Sequence, residues 1–153
     1  MTDADQGLAV RSISAEETRP VRLRVLRAGL PYETTVWAGD DDGDTAHFGA
    51  YVDGELVGVA SVVCQDRDQA RRTGSWRLRG MAVTPEYQSQ GVGGALLRAT
   101  FAYADARGCT DYWCNARMVA IPFYERHGLV ALGPEFDIPT AGPHRLMERR
   151  PGS

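Results

Sequence analysis

The sequence predicts an α+β domain, a mixed α/β sandwich built on one sheet, and three observations lead there. Two apolar runs flank Asp53-Gly54, the strongest short signal for a tight hairpin. A strand-like run at 76–83 stops at Thr84-Pro85 and passes through a glycine-rich turn into a helical pattern. Beyond Gly108 the chain alternates again, strand, short helix, strand, strand. Hairpins mixed with a helical crossover call for a mixed sheet with helices packed on it.

The elements follow in order. Ser14 with Glu17 three residues on has the form of a capping box, and Val21, Val25 and Leu26 recur at helical spacing as far as Gly29 and Pro31. The hairpin occupies 47–63. Residues 66–75 are polar and charged, hence a loop. In the helix at 92–107, Val92, Leu96, Ala99 and Tyr103 line one side and Leu97, Phe101 and Ala104 the next, with Gly108 as the stop. A short strand at 111–115 precedes a helix at 122–127, for which Pro122 suits the first turn and Gly128 the end. Strands at 129–132 and 144–148 complete the set.

A length of 153 residues suits a single domain with a real core, with 1–7 and 150–153 expected as loose tails. The 43% hydrophobic and 24% charged fractions are those of a globular chain, not a disordered one. No apolar run reaches the roughly 18–20 residues of a membrane span, and the acidic start lacks the features of a signal peptide. A cytoplasmic location without membrane association is the expectation. A net charge of −3 offers no basic footprint for nucleic acid. Cys64, Cys109 and Cys114 have no paired or ligand-like spacing, and His47, His127 and His144 lie far apart, so no metal site is expected. All 17 basic residues are arginine, which rules out a lysine nucleophile and a P-loop lysine. The acidic run Asp40-Asp41-Asp42-Gly43-Asp44 reads as a solvated turn.

The turn Gln88-Ser89-Gln90-Gly91-Val92-Gly93-Gly94 carries the chemistry. A helix N-terminus offers unpaired N–H groups and a partial positive charge, and glycine lets an anion approach the backbone without meeting a Cβ. The dinucleotide fingerprint fails because Leu96 stands where its third glycine belongs, and the P-loop fails for want of lysine.

Gln88-x-x-Gly91-x-Gly93, placed after Met81-Ala82-Val83-x-Pro85-x-Tyr87, resembles the acetyl-CoA signature of the GNAT superfamily of N-acyltransferases. Ala120-Ile121-Pro122-Phe123-Tyr124-Glu125-Arg126-His127-Gly128-Leu129 resembles the family's short helix and the strand after it. The two motifs stand in the right order across roughly 76–132, and the hairpin before them fits the family's earlier strands. The resemblance implies a mostly antiparallel sheet with one splayed parallel pair, 76–83 and 111–115, and helices on both faces. Acetyl-CoA, as co-substrate, would lie in that splay. Its pantetheine arm would pair with Met81, Ala82 and Val83 and its pyrophosphate would take N–H groups of Gln88, Ser89, Gln90, Gly91, Val92, Gly93 and Gly94.

The activity so implied is acetyl transfer to a primary amine by direct attack. The Val83 backbone N–H would polarise the thioester carbonyl. The Tyr124 hydroxyl would help the thiolate leave as a hydrogen-bond donor, since full proton transfer to a thiolate is uphill by about 2 kcal/mol. Two departures stand out. The strand 76–80 has no carboxylate to serve as the family's frequent base, which leaves Glu33, Asp40 and His144, or ordered water. Arg117 stands where the family often has asparagine, with Asn115 two residues earlier; cofactor contact, contact with an anionic part of the acceptor, and mere surface cover stay open for it. The acceptor, a small molecule or peptide amine, is unspecified. Tyr32, Trp37, Phe136 and Asp137 are its candidate pocket residues, and a homodimer is a family-level expectation. A non-catalytic acyl-CoA sensor or partner subunit is the alternative.

Overall fold

The structure is a computed structural model that describes residues 7–139 and 141–149. The tails expected at 1–7 and 150–153 lie outside it, apart from Gly7. Seven strands form one sheet, β1 (Leu8–Ile13), β2 (Ala46–Val52), β3 (Glu55–Cys64), β4 (Ser75–Val83), β5 (Asp111–Arg117), β6 (Leu129–Ile138) and β7 (Gly142–Arg149). Their spatial order is β1-β2-β3-β4-β5-β7-β6. All neighbours are antiparallel except β4 and β5, which are parallel. Three α-helices accompany them: α1 (Ala15–Val21), α2 (Val92–Asp105) and α3 (Ile121–Arg126).

Helix α1 starts on both arms of the capping box: Ser14 Oγ accepts from the Glu17 N–H at 3.1 Å, and Glu17 Oε1 accepts from the Ser14 N–H at 2.9 Å. The helix does not run on to Gly29 as its periodicity predicts. Pro20 sits inside it without an N–H to donate, and the chain widens into a π-helical turn over Arg22–Leu26. That turn aims Arg22 inward, where it is fully buried.

The main core lies between the sheet and α2. Leu96, Leu97, Val57, Ala60 and Val62 are all fully buried there, and each large aliphatic side chain contributes about 1.5–3 kcal/mol. Gly58 permits the approach: a Cβ there would meet Leu96 Cδ1 at 3.0 Å and Val92 Cγ1 at 3.1 Å. On the opposite face a smaller cluster, Val21, Val59 and Ala82, seats α1 and the π turn. The two faces therefore carry different cargo, with α2 and α3 on one and α1 on the other.

Three sequence expectations need correction. Residues 8–13 form β1, paired with β2 from Leu8↔Val52 to Ile13↔His47, where no strand is predicted. Strand β6 continues past Leu132 to Ile138, with a register irregularity between Leu132 and Phe136 that absorbs Gly133-Pro134. Asp40 is not part of a solvated turn but buried, at 4% exposure.

Candidate functional site

The parallel pair β4–β5 is hydrogen-bonded only at Ser75↔Asp111, Trp76↔Tyr112 and Arg77↔Trp113. Beyond Arg77 the strands part. Two features of β4 open the gap. Gly80 lies at φ 66°, and the β3–β4 register slips between Val59↔Ala82 and Ser61↔Arg79, which places an extra residue in β4. Trp37 packs against Gly80 so closely that a Cβ there would lie 2.8 Å from its ring.

The register also settles where Val83 points. The Thr84 N–H donates to the Val57 carbonyl at 2.8 Å, which makes Val57/Thr84 a hydrogen-bonded pair. Antiparallel pairs alternate, so Gly58/Val83 is a non-bonded pair and the Val83 N–H faces away from β3, into the gap. Ala82, by the same alternation, turns its N–H and C=O to β3. The Val83 carbonyl accepts from Gln88 Nε2 at 3.0 Å, which ties the glycine-rich turn to the end of β4.

That turn passes twice through the left-handed region. Gly91 caps α2 in the left-handed region at φ 84°, and Ser89 also has positive φ, at 65°. No side chain caps α2, and among the described residues nothing beyond the adjoining backbone lies within 4 Å of where a Gly91 Cβ would stand. The N–H groups of the first turn of α2 are thus offered to an anion. Gly93 has a different reason to be glycine: a Cβ there would meet the Phe123 ring at 3.1 and 3.2 Å. Gly94 would meet His127 Cε1 at 3.0 Å. These two let α3 press against α2, where the Cβ-free approach to a phosphate was expected of Gly93.

Helix α3 carries Tyr124 into the gap. Its ring is 7% exposed and stands edge-on to Phe123 at 5.2 Å. Burial pushes its hydroxyl well above the ordinary tyrosine range, and Arg117 offsets only part of that, so the group is protonated at neutral pH. It has no hydrogen-bond partner among the described residues. Cys114, beside it on β5, is pushed up to about 12 by burial and stays a thiol. It is no nucleophile at neutral pH.

A cavity of about 320 Å³ occupies the gap, lined by Tyr124, Cys114, Asn115, Arg117, Met81 and His144 among others. Antiparallel partners share a face, and β5 pairs Arg117 with His144 and Asn115 with Leu146. Strand alternation sets Asn115, Arg117 and His144 on the α1 face and Cys114 on the α2 face. His144 is 5% exposed. Its Nδ1 lies 2.8 Å from the Gly142 carbonyl, which only accepts, so Nδ1 carries the hydrogen and Nε2 is the basic nitrogen when the ring is neutral.

Other expected residues lie elsewhere. Asp40 is locked between Arg22 and Arg79, and burial, which alone would raise its carboxyl, is outweighed by their hydrogen bonds and charge, which hold it below the usual range. It is not placed to take a proton from substrate. Glu33 is exposed, and Tyr32, Phe136 and Asp137 do not line the cavity, whereas Trp37 does. The structure adds Arg27, Arg77 and Arg79 to the lining. A signal for the last two is present in Trp76-Arg77-Leu78-Arg79, where alternation puts both arginines on one face. The residues of the glycine-rich turn do not line this cavity.

Residues 10–129 match the family described as Acetyltransferase (GNAT) family. The chain is 34% identical over 140 residues to the uncharacterized N-acetyltransferase YitI of Bacillus subtilis (strain 168), covering 92% of this chain and 94% of that one. Among solved structures it superposes on Escherichia coli ElaA with a TM-score of 0.76 at 18% identity, over 94% of this chain and 99% of that one. It also superposes on an aminoglycoside 6'-N-acetyltransferase complexed with coenzyme A, with a TM-score of 0.73 at 12% identity, over 92% and 96%.

Proposed function

The chain belongs to the acetyltransferase (GNAT) family, and on that premise we propose that it moves an acetyl group from acetyl-CoA to a primary amine by direct attack within a ternary complex. The observation that carries this reading is the opening of β4 from β5 after Arg77↔Trp113, with Tyr124 and the turned-out Val83 N–H on its edges.

The residues fit the co-substrate. The open ground over Gly91 and the unpaired first turn of α2 suit a pyrophosphate, and the free edge of β4 at Val83 suits an extended amide-bearing arm, as an added strand would. Acetyl-CoA supplies the thioester carbonyl. The Val83 N–H then stabilises charge that develops on the carbonyl oxygen. The protonated Tyr124 hydroxyl donates to the departing sulfur. Its raised pKa makes complete proton transfer still less favourable than for an ordinary tyrosine, so it acts as a donor rather than a full acid. His144 Nε2 receives the proton that the amine sheds, directly or through water.

The test is direct. The protein incubated with acetyl-CoA and a panel of primary amines should release free CoA, read with a thiol reagent, in step with an acetylated product seen by mass. Tight acetyl-CoA binding with no release on any amine overturns the reading in favour of a sensor.

A further inference from the structure

Four arginines line the cavity, Arg27, Arg77, Arg79 and Arg117, and among the described residues no aspartate or glutamate does. Their partners do not neutralise them. Arg79 shares Asp40 with the fully buried Arg22. Arg77 Nη1 donates to the uncharged Gln65 Oε1 at 3.1 Å, and Arg27 Nη1 donates to the Leu26 carbonyl at 3.0 Å. Arg117 has no hydrogen-bond or ion-pair partner among the described residues. The simplest account is that these side chains only cover aromatic rings: Arg27 and Arg79 lie 5.2 and 5.7 Å from Trp37, and Arg77 lies 5.1 Å from Trp113. It does not explain Arg117, nor why like charges converge on one half-buried hollow. Burial, then the charge of Arg117, holds the Arg27 guanidinium below its ordinary value, so the two oppose each other across the lining. Such an arrangement is relieved when an anion enters between them.

We propose that the acceptor is an amine that also carries an anionic group, a carboxylate or a phosphate, seated by Arg117 and Arg27. This rests on the acetyl-transfer reading and narrows it. Polyamines and aminoglycosides are disfavoured, because each additional ammonium would face guanidinium rather than carboxylate. The glycine-rich turn is a separate anion seat for the donor, since none of its residues lines this cavity.

The experiment compares matched amines with the full chain and acetyl-CoA: L-amino acids against their carboxamides, O-phosphoethanolamine against ethanolamine, and spermidine and kanamycin as polycations. An anionic member should exceed its neutral partner by about 10- to 100-fold in kcat/KM, the range of a charge-assisted contact. The pair that shows the preference tells carboxylate from phosphate. A carboxamide's amine is the less basic one, so intrinsic reactivity near neutral pH biases the comparison the other way. Arg117→Gln and Arg27→Gln should raise KM for the anionic member and narrow its preference, and Arg117→Lys should restore part of it. Equal or better use of neutral or polycationic amines overturns the proposal. If no amine releases CoA, it is the transfer reading that fails. Calorimetric titration with the same acids then decides the anion seat: binding that Arg117→Gln abolishes upholds it, and no binding overturns it.

Discussion

Arg22 and Asp40 meet as a two-point ion pair inside the protein, Nη1 to Oδ2 at 2.8 Å and Nη2 to Oδ1 at 3.1 Å, with side-chain exposures of 0% and 1%. The pair is embedded in a network of further contacts. Arg22 also donates to the Thr35 carbonyl and Ser61 Oγ, and Asp40 also accepts from the Trp37 N–H and Arg79. His47 Nε2 lies 2.9 Å from the Asp40 carbonyl and must donate to it, which leaves Nδ1 to accept from Ser61 at 2.6 Å. The indole of Trp37 lies 3.8 Å from the Arg22 guanidinium. One buried carboxylate thus positions the wall against which the acceptor would rest.

Asp40→Ala should cost about 3–5 kcal/mol, because it leaves a fully buried guanidinium without its counter-charge. Urea unfolding measures it. A loss below about 1 kcal/mol would mean that Arg22 finds water or another partner in the variant.

Stability should fall with acid in two stages. Burial lowers the His47 pKa, so the folded state prefers the neutral ring and loses stability as pH drops below the unfolded value of about 6.5. The depressed Asp40 carboxyl contributes fully above its unfolded value of about 3.9, and that contribution is lost as pH falls through its lower folded value. Urea midpoints collected from pH 8 to 3 should show both stages, the first shrinking in His47→Gln.

Tyr124→Phe should lower kcat by about 10- to 100-fold, the worth of one hydrogen bond to a developing charge, while KM for acetyl-CoA changes little. Because burial holds the hydroxyl well above the usual range, the wild-type rate should show no alkaline fall due to tyrosine ionisation up to about pH 10. An unchanged kcat in the variant discards the assignment.

His144→Ala should reduce kcat/KM by about 100-fold, with partial recovery on adding imidazole. Full activity in the variant would point to water as the proton acceptor.

Gly93→Ala should push the Phe123 ring and with it α3, costing about 1–3 kcal/mol of stability and lowering kcat as Tyr124 shifts. Gly91→Ala has open space but an unfavourable φ, so it should cost about 1–2 kcal/mol of stability and also weaken acetyl-CoA binding. A fall in kcat for the first and a rise in KM for acetyl-CoA for the second separate the two.

The capping box, the Asp53-Gly54 hairpin and the strand–turn–helix around Gly91 are legible in the chain because each is a local pattern with a local cause. Tyr124 is legible only through the resemblance of two motifs held together by the fold. Strand β1 has no clean alternation and is formed by its pairing with β2, a tertiary fact. The end of α1 at Pro20 is visible in the sequence, but the direction of Arg22 after it is not. Nothing in the acidic run distinguishes Asp40, buried, from Asp41 and Asp42, exposed. The gathering of Arg27, Arg77, Arg79 and Arg117 needs three separate segments to converge, which no window along the chain contains.

The parting of β4 from β5 cuts through the thickness of the sheet. On the transfer reading proposed above, each substrate would arrive by its own doorway, the nucleotide end past α2 and the amine past the π turn. That second doorway would be framed by the 22–40 segment and the β6–β7 end, neither of which builds the turn at Gly91. The selectivity of such an enzyme can be rewritten on one side of the partition while the other keeps its grip, so chimeras that exchange residues 22–40 offer a way to graft new amines onto an unchanged donor seat.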